Sequence, residues 1–85
     1  MASNITFTLR NNQMTDVNVT VVDLRTNTNA LENSPLNVDE SVPVTVVAGS
    51  DDKGSAFWVF ASSDGSVNSN KRQDDIRDGD QCTLG

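Results

Sequence analysis

The feature that most constrains this chain is a set of short runs in which apolar and polar residues alternate, the period of a half-buried β-strand and not of a helix. From Asn4 to Arg10, Ile5, Phe7 and Leu9 take one face while Thr6, Thr8 and Arg10 take the other. From Asp16 to Leu24, Val17, Val19 and Val21 share a face before the apolar phase slips by one to Val22 and Leu24, the pattern of a β-bulge. Ser41 to Ala48 sets Val42, Val44 and Val46 inward, and Pro43 removes one ladder donor, which predicts an edge position or a strand start. Ala56 to Ser62 is the most apolar run, with Trp58, Phe60 and Ser62 on one face and Phe57, Val59 and Ala61 on the other. Ser66 to about Asn70 and Gly79 to Leu84 complete six predicted strands.

The connections are turn-rich. Asn11 to Thr15 and Gly49 to Ser55 read as turns. Arg25 to Asn37 reads as a long connection in which Asn29-Ala30-Leu31-Glu32 caps a single helical turn before Pro35, tacked down by Leu31 and Leu36. Asp64-Gly65 suits a two-residue type I′ hairpin, which sets Ser62 opposite Val67, Ala61 opposite Asn68 and Val59 opposite Asn70. Trp58, Phe60 and Val67 then form the core face. Phe57 and Val59 lie on the outer face, where Leu31 and Leu36 are expected to cover them; the competing expectation is an exposed contact patch.

No internal repeat and no second domain are evident, so residues 1–85 read as one small all-β domain. The predicted architecture is a small antiparallel β-sandwich or a partly open barrel of about six strands. One cysteine allows no internal disulfide, so apolar packing and ladder bonds hold a fold whose size leaves a thin stability margin. The alternating strands resemble immunoglobulin-like modules in architecture. The resemblance stops there, because the chain has no Cys…Trp…Cys spacing and no tyrosine corner.

The same composition removes whole classes of chemistry. With no His there is no Ser-His-Asp or Cys-His pair, and Cys82 reads as a small buried hydrophobe on the last strand. A carboxylate pair for glycoside hydrolysis needs a cleft that so small a domain has little room to form. One Cys and no His cannot build a zinc site. Asp74 to Asp80 superficially looks like a calcium loop, but aligning Asp78-Gly79 with its fifth and sixth positions puts Ile76 at the third and ends the chain before a Glu at the twelfth. A net charge of −6 repels phosphate backbones, so nucleic acid is not expected as a partner. Asn4-Ile5-Thr6 and Asn18-Val19-Thr20 match the N-glycosylation pattern, which a chain rich in Asn and Thr produces by chance.

Ten of the twelve acids are Asp, a turn signature first of all. If six strands alternate in direction, Asp16, Asp51, Asp52, Asp74, Asp75, Asp78 and Asp80 share one end with five bases, leaving −2 there. Asp23, Glu32, Asp39, Glu40 and Asp64 share the other with Arg25, leaving −4 and the stronger attraction for a basic partner.

The expected function is therefore a non-enzymatic binding or structural module, without a cofactor, that contacts another protein or a second copy through a sheet edge or the Phe57/Val59 face. The alternative is a small lectin-like or calcium-dependent module using Asp51, Asp52, Asp74, Asp75, Asp78 and Asp80. No membrane contact is expected. As written the chain reads as cytoplasmic, and secretion stays open if a signal was removed.

Overall fold

Alternation in the sequence becomes burial on one side of each strand. A computed structural model describes residues 3–85 and contains seven strands among them. They are β1 (Ser3–Arg10), β2 (Val17–Asp23), β3 (Thr28–Leu36), β4 (Ser41–Ala48), β5 (Gly54–Ala61), β6 (Asn68–Ile76) and β7 (Gln81–Thr83). One sheet has the order β4-β1-β7 and the other β3-β2-β5-β6. Neighbours are antiparallel except β1 and β7, which are parallel. The molecule is an all-β sandwich of a three-stranded and a four-stranded sheet, with no helix among the described residues.

The core is the set of inward positions that the alternation marks. Ile5, Phe7 and Leu9 from β1 and Val44, Val46 and Ala48 from β4 face Val17, Val19 and Val21 from β2 and Ala56, Trp58 and Phe60 from β5. Trp58 is fully buried, donates its indole N–H to the Leu84 carbonyl at 2.9 Å and packs on Phe7 with ring centroids 6.1 Å apart. Gly54 is required by close approach, since a Cβ there would lie 2.8 Å from Val46 Cγ2.

Several expectations need correction. The 25–37 segment carries strand β3 and no helical turn; Leu36 faces the core and Leu31 packs against it, so neither covers Phe57 or Val59 on the opposite face. The bulge lies on β3, where register shifts fall between Val19 and Val22 of its partner, while β2 keeps its phase through buried Asp23. The β5–β6 register is as expected, with Ala61 opposite Asn68 and Val59 opposite Asn70. Its turn is not type I′, because only Gly65 takes a positive φ; the Gly65 N–H closes onto the Ser62 carbonyl, and Ser62 and Val67 flank a four-residue loop. β6 runs on to Ile76, and β7 is limited to Gln81–Thr83.

An internal relation also emerges. Thr6 pairs with Thr45 at the centre of β1–β4, and Thr20 pairs with Val59 at the centre of β2–β5; 45 − 6 and 59 − 20 both equal 39. The same step carries Ile5 to Val44, Val19 to Trp58, and the hairpin-closing residues Asp23 and Thr28 to Ser62 and Val67. The two halves, β1–β3 and β4–β6, are thus related by a pseudo-two-fold axis through the Thr6/Thr45 and Thr20/Val59 pairs. The crossings back to the first sheet repeat one residue later, at a step of 40: Asn37-Val38-Asp39-Glu40 and Arg77-Asp78-Gly79-Asp80 are type II turns with Asp39 and Gly79 at positive φ. In each, the final carboxylate accepts the N–H of the first turn residue, Glu40 from Asn37 and Asp80 from Arg77. Almost no residue identity survives this step, which is why the sequence showed no repeat.

Candidate functional site: the outer face of the four-stranded sheet

Because Trp58 and Phe60 point into the core, the alternate residues of β5 must point out. Phe57 pairs with Val22 and Arg72, and Val59 with Thr20 and Asn70, so the outer face of the central strands reads Thr20-Val59-Asn70 across and Phe57-Val59-Ala61 along. Val59 is 43% exposed, and Phe57 is half-buried. The outward positions of β2, β5 and β6 from Asn18 to Arg72 include no acid, on a chain of net charge −6. Beside Val59 a shallow groove is lined by Asn18, Thr20, Asn33, Ala61, Ser63 and Asn68. The other large exposed apolar residues among those described, Met14 and Val38, sit singly on loops at one end of the sandwich.

The structure divides the Asp residues differently from the sequence expectation. β3 turns the chain once more, so Asp16 lies with Asp39, Glu40 and Asp64 at one end, and Asp23 and Arg25 join the 49–53 and 77–80 loops at the other. That second end gathers Asp51, Asp52 and Asp78 around one depression together with Lys53 and Arg77. The exchange trades Asp16 and Arg10 for Asp23 and Arg25, so the Asp-rich end still sets seven acids against five bases. Most of these carboxylates already serve local structure: Asp51 accepts the Lys53 N–H, Asp78 the Thr6 N–H, Asp80 the Arg77 N–H, and Asp74 pairs with Arg72 at 3.2 Å. Asp52 takes a left-handed conformation in its turn, and Asp75 takes one at the register shift near the end of β6. Among the described residues no three acidic or thiol side chains converge in a way that could hold a metal ion.

Two buried polar residues escaped the sequence reading. Asp23 joins the sheets, its carboxylate accepting the Arg25 N–H at 3.0 Å and the Val47 N–H at 2.8 Å. Asn11 is fully buried and donates to the Thr15 and Leu36 carbonyls while accepting the Gln13 N–H. An Asx residue just after or at the end of an apolar strand was the only available signal, and turns produce that signal constantly.

Cys82 lies on β7, half-buried and not sealed as expected. Burial and then the Asp80 charge push its thiol up, while Lys71 pulls the other way. Asp64 closes the β5–β6 loop. The Ser66 N–H and the Ser62 and Ser66 hydroxyls hold its carboxyl at about 2.

Comparison with known protein families, curated proteins and solved structures returns no match to this chain.

Proposed function

We propose that this chain is a non-enzymatic protein-binding module whose contact surface is the outer face of the four-stranded sheet around Val59 and Phe57. The observation that supports it is the 43% exposure of Val59 at the centre of a hydrogen-bonded sheet, between Thr20 and Asn70 and away from any outward acid of β2 or β5. A patch of this kind offers apolar area on a rigid frame, with amides and hydroxyls at its rim, the arrangement protein interfaces use. The Leu31 and Leu36 side chains, which would have hidden it, are committed to the core. A lectin-like role would need an exposed stacking ring, and Trp58 is buried.

The test compares co-purification from the native source with wild type, Phe57→Ser and Val59→Asp, all checked for an unchanged fold by circular dichroism. A specific partner held by wild type and lost with Val59→Asp supports the reading. Binding indifferent to both changes overturns it. A thermal-shift screen with calcium and glycans separates the alternative, since only a ligand of the native state raises the melting temperature.

A further inference from the structure

Four strands lie at sheet edges, and three of them are closed to further pairing. β3 is interrupted by two register shifts, a left-handed Asn33 and Pro35. β4 lacks a donor at Pro43 and gives the Val47 N–H to Asp23. β7 is only three residues long. β6 differs: from Asn68 to Gln73 it pairs with β5 without a register shift and contains neither Pro nor Gly, its one shift falling beyond Gln73 beside the left-handed Asp75. Ser62 N–H to Val67 C=O sets the ladder's alternation, which commits the backbone groups of Ser69, Lys71 and Gln73 to β5 and turns those of Asn68, Asn70 and Arg72 outward. The pseudo-two-fold mate of β6 is β3, so the molecule holds one blocked and one open form of the same arm.

Along the open arm the charges run Lys71-Arg72-Gln73-Asp74-Asp75, two bases and two acids mirrored about Gln73. We infer that β6 pairs antiparallel with β6 of a second copy of this chain, with Gln73 on the dyad. Arg72 then faces the second copy's Asp74, and the paired segment ends there. Arg72 stands at an outward position, and Asp74, two residues on, is held against it on the same face at 3.2 Å, so dimerisation exchanges this pair within one strand for two pairs across the dyad. Registers centred on Lys71 or Arg72 would set like charges face to face. The left-handed Asp75 bends each strand after this segment, which keeps the contact short. One open edge per molecule closes as a two-fold dimer and not as a filament. The two outer faces then continue as one eight-stranded surface carrying Val59 twice. This inference rests on the protein-binding reading and names the partner of the edge.

Sedimentation equilibrium up to about 1 mM tests it on wild type, Arg72→Glu, Asp74→Lys, the double variant and Val59→Asp. Both side chains are more than half exposed, so the charge variants should fold, and melting curves check that they do. The expected result is a wild-type dimer weakened about tenfold by each single reversal and restored to within about threefold in the double variant. A wild-type monomer throughout, a dimer indifferent to both reversals, or a double variant that does not recover would overturn the inference. Dimerisation lost only with Val59→Asp would also overturn it, while leaving the outer-face reading standing.

Discussion

At the scale of single residues, the chain's many Asp side chains act mainly as backbone acceptors. Asp64 shows this most clearly, because three donors around it stabilise the ionised form and hold it at about 2. Its folded-state value is depressed, so its contribution to stability is present above the ordinary carboxylate range and is lost as pH falls through about 2. Side-chain carbonyl resonances followed by NMR should show Asp64 titrating well below the exposed aspartates, and the 63–66 loop loosening with it. Titration near 4, the usual range, would mean that the Ser62 and Ser66 contacts are absent in solution. Asp23 makes the corresponding test in the interior. Asp23→Ala leaves the Val47 N–H without its carboxylate partner and removes the Asx turn at Arg25, and urea unfolding should register a loss of about 1–3 kcal/mol. A variant as stable as wild type would show that water replaces the carboxylate at no cost.

At the scale of elements, legibility followed hydrophobicity. β1, β4 and β5 were readable because each buries alternate residues against the opposite sheet, and the β5–β6 register followed from Asp64-Gly65 even though the turn type did not. β3 was invisible because two register shifts break its alternation and leave it little core to face: Asn29, Glu32, Asn33 and Pro35 are exposed, and only Leu36 is fully buried. The same lack of core hid the second half of β6, whose inward Lys71 lies opposite Trp58 on the core side at the open rim of the sandwich. Missing β3 reversed every later strand and so misplaced Asp16 and Asp23. Of the site, the outward direction of Phe57 and Val59 was legible, while their lack of cover depended on where Leu31 and Leu36 went. Amide hydrogen exchange on dilute protein checks the β6 edge directly. Ser69, Lys71 and Gln73 should exchange slowly and Asn68, Asn70 and Arg72 quickly, since only the first set donates to β5. Uniform protection or an inverted alternation would contradict the register.

At the scale of the whole molecule, two β-β-β halves meet across an axis that passes through Thr20 and Val59, so the most exposed apolar residue of the sheet stands at its centre. Both the core and the proposed contact surface depend on which way β5 faces. Trp58, sealed between the sheets and bonded to the Leu84 carbonyl, and Val59, turned outward one residue later, make opposite predictions about substitution. Thermal melts of Trp58→Ala and Val59→Asp decide between them. Trp58→Ala should lose about 3–5 kcal/mol, enough to unfold a domain of this size, while Val59→Asp melts within a few degrees of wild type. Collapse of Val59→Asp together with a stable Trp58→Ala would put the wrong face of β5 in the core and remove the proposed contact surface.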